Sequence, residues 1–375
     1  MTDYAYLVHL LYCAVHDTQP QEKPEEVSFK SVLEYGKLHE VANIAYLSVE
    51  KLKNKPEAEI LNEWKLYYYF SVQRDMRQKE AYENIISLLH ENGIRTLEAQ
   101  GTVTKTLYPS PELRMMSDID FIIDRENLKR TGELMCSLGY DIEENKTDEI
   151  DVKKENGQII EFHSEFFSEK IYGRRERFSK AINSPFSHAK PDGDNELKYN
   201  LDDTYFYLYS ILHILKHFET AGCGIRRILD IYYLKKALSD RIDGAYINGV
   251  IDSYGFRENT DLLFALEGEW FEGKPSSKDL SEVAVKVFES LNHGTRNVFA
   301  QNEVHQDIFE GVKFARLKRI ITFIFPKKER VCLNYPECRE RGYSTVTCWF
   351  YRLYRKLTEG RIKAGFEYIR ILLKK

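Results

Sequence analysis

Between residue 93 and about residue 170 the hydrophobic pattern changes from a helical to a strand-like period. This switch limits the fold more than any other feature of the chain. Before it, Leu7, Leu10, Leu11 and Val15 recur at helical spacing, and KLHEVANIAYLSVEKL and EWKLYYYFSVQRDMRQKEAYENIISLLHENG keep that period. Asn92-Gly93 supplies the stop signal. After it, IRTLEA reads as a strand, and Gly101-Thr102 opens a short helix stopped by Tyr108-Pro109. LRMMSDIDFII reads as the second strand, and RENLKRTGELMCSLG as an amphipathic helix closed by Gly139. EIDVKK and QIIEFHSEFF read as strands joined by the hairpin dipeptide Asn156-Gly157. The expected order is β-α-β-α-β-β. Residues 174 to 200 are charged, carry Pro185, Pro191, Gly193 and Asn200, and read as a surface linker. Helical periodicity returns at Asp202, in DDTYFYLYSILHILKHF and IRRILDIYYLKKAL. It holds to the C-terminus except in FPKKERVCLNYPECRERGYS, which reads as loop-rich. The expected class is α+β, a small mixed sheet flanked by N-terminal and C-terminal helical regions, divided at 1–92, 93–190 and 191–375.

Composition narrows the class further. A chain of 375 residues suggests two or three structural units, and 43% hydrophobic residues exclude global disorder. A net charge of −5 and a pI near 6.1 do not suit a nucleic-acid coat or a generally polybasic membrane protein. None of the six cysteines forms a C-x-x-C pair, so a zinc knuckle is unsupported and free thiols in a reducing cytoplasm are expected. MTDYAYLVHLLYCAVHD lacks a basic segment, and His9 interrupts its apolar run, so no signal peptide is expected. No eighteen-residue apolar run predicts a transmembrane helix. The expected location is cytoplasmic.

The strand SDIDFIID poses the functional question. Asp118 and Asp120 are two apart, so they point to one face of a strand whose other residues are apolar. Two hard carboxylates side by side suit a divalent cation such as magnesium or manganese. In QIIEFHSEFF, Ile159, Glu161 and His163 share a face, and the hairpin brings Glu161 back as a third acid. Three inward carboxylates on neighbouring strands suit an in-line phosphoryl displacement at two metals. D-x-D also arises by chance at strand ends as a turn former. Gly101-Thr102, between a strand and a helix just upstream, allows phosphate to approach the backbone; its plain alternative is an ordinary turn.

In this order the elements resemble the nucleotidyltransferase superfamily that includes DNA polymerase beta. More narrowly, AQGTVTKTLYPSPELRMMSDIDF, CSLGY, IIEFHSEF and HILKHFETAGCGIRRILDIYYL resemble an uncharacterised bacterial nucleotidyltransferase-like family. The resemblance runs from about residue 30 to 355 and is strongest between 94 and 235. It implies a nucleotidyltransferase core in which Asp118 and Asp120 bind magnesium, Glu161 is the third acid, and Gly101-Thr102 is the phosphate turn. That family carries lysine before the glycine, where this chain has Gln100; Lys105, one helical turn on, is the candidate replacement.

A second cluster lies in HILKHFETAGCGIRRILD. His213 and His217 are four apart but do not form H-E-x-x-H, so a zinc site is not expected. Lys216, Arg226 and Arg227 either close over a triphosphate or form structural ion pairs, with Asp230 orienting an arginine. Arg114, assigned to nucleotide binding by the same resemblance, either braces a carboxylate or is a solvated loop residue. The basic C-terminal stretch, with Arg352, Arg355, Lys356, Arg361, Lys363, Arg370, Lys374 and Lys375 against Glu359 and Glu367, either packs on its own domain or meets an acidic partner, RNA or a membrane surface.

The functional expectation is a magnesium-dependent enzyme. It moves a nucleoside monophosphate, AMP by default, from ATP or another nucleoside triphosphate to a hydroxyl acceptor that is a small molecule, a protein or RNA. Its rivals are a catalytically impaired nucleotide-binding or scaffold protein on the same fold, kept open by Gln100, and an RNA-binding helical protein using its basic C-terminus.

Overall fold

In the computed structural model, residues 1–98, 100–145, 148–167, 176–182, 184–193, 195–292, 294–309, 312–335, 337–358 and 362–373 are described. They fall into two compact units, residues 1–216 with 224–292, and residues 217–223 with 293–375.

The first unit opens with four helices: α1 (Asp3–Val15), α2 (Phe29–Leu38), α3 (Ala42–Val49) and α4 (Ala58–Glu91). The continuous period expected over KLHEVANIAYLSVEKL is split between α2 and α3, where Glu40 turns the backbone to a φ of 54°. Helix α4 ends as its sequence indicates: Gly93 takes a φ of 71°, and the Gly93 and Ile94 amides donate back to His90 and Leu89.

The core then runs β1 (Thr96–Glu98), α5 (Gln100–Lys105), β2 (Asp118–Ile123), α6 (Leu128–Ser137), β3 (Asp141–Asn145), β4 (Glu149–Lys153) and β5 (Ile159–His163). Helix α7 (Glu176–Ala181) precedes a last hairpin, β6 (Ala189–Asp192) and β7 (Asn195–Leu201). The seven strands form one mixed sheet in the order β3-β4-β5-β2-β1-β7-β6. Strand β2 pairs antiparallel with β1 and parallel with β5. The β4–β5 turn is the expected hairpin, with Gly157 at a φ of 84° and its amide donating to the Lys154 carbonyl at 2.9 Å.

Four elements of this unit, α7, β6, β7 and β3, differ from the sequence expectation. The linker expected over 174–200 is a helix and two strands, and β6 runs across residue 190; residues 174 and 175 lie outside the described residues. Strand β7 pairs with β1 at the free side of the sheet. Its side chains are half-buried or exposed, so backbone pairing rather than an apolar period holds it, and Pro191 is tolerated because β6 is an edge. Strand β3, the opposite edge, also went unread: its single apolar residue, Ile142, is 43% exposed.

One sheet face is the core. Ile119, Phe121 and Ile123 of β2 alternate with Asp118 and Asp120, and pack with Ile150, Val152, Ile160 and Phe162 beneath α4 and α6. Phe121 stacks between Tyr82 and Phe162, with ring centroids 5.4 and 5.5 Å apart. The opposite face carries the acids. Helices α8 (Asp203–Thr220), α9 (Ile225–Leu238), α10 (Gly244–Ser253), α11 (Arg257–Phe271) and α12 (Ser281–Ser290) follow; α8 runs across the boundary between the units.

The second unit contains α13 (Arg296–Phe309), α14 (Ala315–Ile324), α15 (Lys328–Asn334), α16 (Glu337–Glu340), α17 (Thr345–Thr358) and α18 (Ile362–Leu373). The interval expected to be loop-rich thus holds the short helices α15 and α16. All six cysteines are free thiols. Among the described residues, no helix is long and apolar enough to cross a membrane.

Phe162 is fully buried in the sheet core. Phe162→Ala is expected to lower stability by about 3–5 kcal/mol, because the cavity adds to the lost transfer energy. Urea denaturation followed by circular dichroism measures it.

Candidate active site

The β2–β5 pairing sets Asp120 directly beside Glu161, and the β5–β4 pairing sets Asp151 beside Glu161 on its other side and Glu149 beside His163. Side chains on paired positions share a face, so one patch collects Asp118, Asp120, Glu161, His163, Glu149 and Asp151. Ligating atoms of Asp120, Glu161 and His163 lie within 4.8 Å of one another, as do those of Glu149, Asp151 and Glu161. His163 Nε2 is 3.4 Å from both Asp120 Oδ1 and Glu161 Oε2, and its Nδ1 is 3.9 Å from Glu149 Oε2.

The electrostatics follow from that crowding. Burial, with the negative charges of Asp120 and Glu161, pushes the Asp118 carboxyl up to about 7; Arg226 and Arg227 pull the other way. Burial disfavours the charged form of His163, yet its hydrogen bonds to Asp120 and Glu161 lift it to about 10. An imidazolium therefore sits among carboxylates that share one face. With His163 protonated the donor set is carboxylate oxygen, which fits a divalent magnesium or manganese ion.

Helix α5 packs against β2 and α9. Gly101 lies in its first turn, where an added Cβ would meet Met116 Sδ at 3.4 Å, so no left-handed backbone imposes the glycine. Gln100 Nε2, Thr102 Oγ1 and Thr104 Oγ1 are buried with no hydrogen-bond partner among the described residues. These are unspent polar groups close to the acid-bearing strand, where a polar ligand fits.

Lys105 and Arg114 each hold a carboxylate. The Lys105 ammonium pairs with Asp75 of α4. Arg114 is buried, and its fork holds Asp230 of α9: Nε donates to Oδ1 at 2.7 Å and Nη2 to Oδ2 at 2.9 Å. Arg114 Nη1 also donates to the Gly101 carbonyl at 3.2 Å, and the Tyr108 hydroxyl donates to Asp230 at 2.7 Å. Against the effect of burial, Arg114 holds the Asp230 carboxyl below the usual carboxylate range. This is not a solvated loop arginine: the carboxylate it braces is Asp230, and it forms a strut from the α5 turn to α9.

The remaining expected cations line the acid face from the helices. Arg226 Nη1 donates to Glu40 at 2.5 Å and to the Met115 carbonyl, while its buried Nε has no hydrogen-bond partner among the described residues. Arg227 Nη1 is 3.4 Å from His213 Nδ1. Lys216 lies 5.7 Å over the Phe167 ring. Burial and the Arg227 charge push its ammonium down, against Asp120, Glu149 and Glu161. The start of α9 is fixed by close approach: a Cβ on Gly224 would meet the Leu291 carbonyl oxygen at 2.7 Å and His39 Nδ1 at 2.8 Å. Only glycine fits there.

The sequence placed His163 on the face of Glu161 without assigning it a role, and Glu149 and Asp151 were missed as members of the patch. Their signal was present: EIDVKK alternates as QIIEFH does, so Glu149 and Asp151 share a face opposite Ile150 and Val152. Neither metal-capable group contains His213 or His217.

Residues 25–272 match the family described as uncharacterised nucleotidyltransferase. No curated protein matches. Among solved structures, the solution structure of the antibiotic-resistance factor ANT(2'')-Ia is similar to this chain at 10% identity and a TM-score of 0.36, over 49% of this chain and 95% of that one.

Asp118 and His163 act on stability with one sign. The folded protein keeps a proton on Asp118 to about pH 7 and on His163 to about pH 10, where free side chains lose theirs near 3.8 and 6.5. The folded state therefore binds the extra protons, and the stability these two groups contribute falls as pH rises from about 4 to about 10. Metal-free protein is expected to melt lower at pH 8.5 than at pH 5.5, with Asp118→Asn flattening the arm below pH 7; scanning calorimetry measures both. Separately, Arg114→Met is expected to cost about 3–5 kcal/mol by leaving Asp230 charged and buried, and adding Asp230→Leu should recover part of it in urea denaturation.

Proposed function

Because the chain belongs to the uncharacterised nucleotidyltransferase family, we propose that this acid face transfers a nucleoside monophosphate from a nucleoside triphosphate to a hydroxyl acceptor, releasing pyrophosphate. AMP from ATP is the default donor group. The observation that carries the reading is the concentration of Asp118, Asp120, Glu161, Glu149 and Asp151 on one sheet face, with Asp118 pushed up to about 7 by burial and by its acidic neighbours. So much negative charge is stable at neutral pH only with a cationic partner.

In this reading Asp118, Asp120 and Glu161 hold the metal, magnesium or manganese, which would neutralise phosphate charge. The chain's own groups do the rest. Thr102 and Gln100 offer unspent polar atoms to the phosphates at the α5 turn beside Gly101, and Gln100 replaces the family lysine with a neutral amide donor. Lys105 and Arg114 support that turn from behind, through Asp75 and Asp230. Lys216, Arg226 and Arg227 line the opposite side and attract the triphosphate oxygens. The acceptor hydroxyl oxygen attacks the α-phosphorus, the bond from that phosphorus to the α–β bridging oxygen breaks, and Glu161 takes the hydroxyl proton. Catalysis of this kind is chiefly positioning and charge compensation. The free thiols and the need for nucleoside triphosphate agree with a cytoplasmic site of action.

Calorimetric titration of the four nucleoside triphosphates, with magnesium and then with EDTA, tests the reading. One nucleotide is expected to bind only with magnesium, and Asp120→Asn to lower pyrophosphate release by on the order of 10²–10³-fold. Magnesium-dependent binding with no turnover in any acceptor screen, unaltered by Asp120→Asn, would favour a catalytically impaired nucleotide-binding protein. No binding of any nucleotide overturns both.

A further inference from the structure

The total charge of −5 conceals a sharp division. Residues 312–375 hold 17 Lys and Arg against 5 Asp and Glu, an excess of +12. The rest of the chain is correspondingly acidic. This basic segment also carries apolar side chains on its surface. On α17, Val346, Phe350, Leu353, Tyr354 and Leu357 recur at helical spacing along one face, and Phe350 is 68% exposed.

That face is not the one α17 uses to pack. Its inner side places Cys348, Trp349 and Tyr351 against Val331, Cys338 and Tyr343. Arg355 turns inward to Glu337 at 3.1 Å, and Arg352 Nη2 donates to the Phe323 carbonyl at 3.0 Å. The helix is therefore satisfied within its unit, and the outer stripe is surplus to that packing.

Helix α14 repeats the arrangement. Leu317, Ile321 and Ile324 form an outward stripe, followed by Phe325, all at least 41% exposed. Arg316 and Lys318 are exposed on its two sides, Lys318 while pairing with Asp307 at 3.0 Å. The ends of α14 and α17 adjoin: the Phe325 and Trp349 rings are 5.0 Å apart, and Trp349 Nε1 donates to the Pro326 carbonyl at 2.7 Å. On α18, Phe366, Arg370 and Leu373 are exposed. Arg361, Lys374, Lys375 and Glu359 lie outside the described residues.

We propose that the outer stripes of α14 and α17 dock on an anionic lipid bilayer surface. Among the described residues no helix can cross a bilayer, so the mode is interfacial, with apolar side chains entering the headgroup boundary and basic groups facing acidic lipid. Charge chooses the occupant. A chain whose remaining residues are net negative does not attract acidic surfaces through them, so the +12 segment sets the orientation. The aliphatic part of the stripe, Val346, Leu353 and Leu357 on α17 with Leu317, Ile321 and Ile324 on α14, favours lipid over nucleic acid, because phosphates are bound through cations and bases through aromatic rings, and aliphatic rows serve neither. The proposal is independent of the carboxylate site.

The test is cosedimentation of the full chain with vesicles of phosphatidylcholine alone and of equal parts phosphatidylcholine and phosphatidylglycerol. Binding is expected to the mixed vesicles and to weaken as salt rises from about 0.1 to about 1 M. Phe350→Glu with Leu353→Glu is expected to weaken it about tenfold or more. Circular dichroism and thermal unfolding show whether that variant is folded; should it unfold, Phe350→Ser with Leu353→Ser serves instead. Three results would overturn the proposal: salt-sensitive RNA binding with no vesicle binding; self-association in light scattering, abolished by the variant, with no vesicle binding; or a monomer that binds neither vesicles nor RNA.

Discussion

The buried pair of Arg114 and Asp230 is the contact on which the acid face depends. The two residues are 116 positions apart and both lie out of water, so their charges are stable only together. Through Arg114 the pair grips the Gly101 carbonyl, and through Asp230 it grips α9 and the Tyr108 hydroxyl. It thereby holds the turn before β2 and the arginines at the start of α9 in one arrangement. Arg226 is set from the same side by Glu40 and the Met115 carbonyl. Neither end of this frame is meaningful alone, since Arg114 without Asp230 would be an uncompensated buried cation.

Against that frame the sheet divides its labour by face. One side is a stack of aromatic and aliphatic groups under α4 and α6, which gives β2, β4 and β5 a fixed register. Register is what matters chemically. A slip of one residue would send Asp118, Asp120, Glu161 and Asp151 into the core and turn Phe121 and Phe162 outward. The apolar face thus specifies the geometry of the charged one. His163, held by three carboxylates, is the nearest compensation the chain itself provides.

The two compact units carry opposite surface characters. The first concentrates carboxylates on a sheet and meets them with cations from α8 and α9, an arrangement suited to a phosphorylated substrate. The second is strongly basic and bears outward apolar rows on α14 and α17. A total charge of −5 says nothing of either, because it averages over both.

What the sequence by itself determined was local and periodic. The alternation in SDIDFIID and QIIEFH put Asp118, Asp120 and Glu161 on single faces, Asn156-Gly157 made the hairpin, and Asn92-Gly93 ended the long helix, because each signal is complete within a few residues. The same alternation in EIDVKK was legible and went unused. Tertiary structure alone decided the rest. Strands β3, β6 and β7 exist because a sheet offers unpaired backbone to whatever lies alongside, and their mostly polar side chains carry no period to announce it. It also decided that Arg114 meets Asp230 and Lys105 meets Asp75. A cation's partner is fixed by which segments the fold brings together, and charge–charge attraction leaves no mark in the residues between.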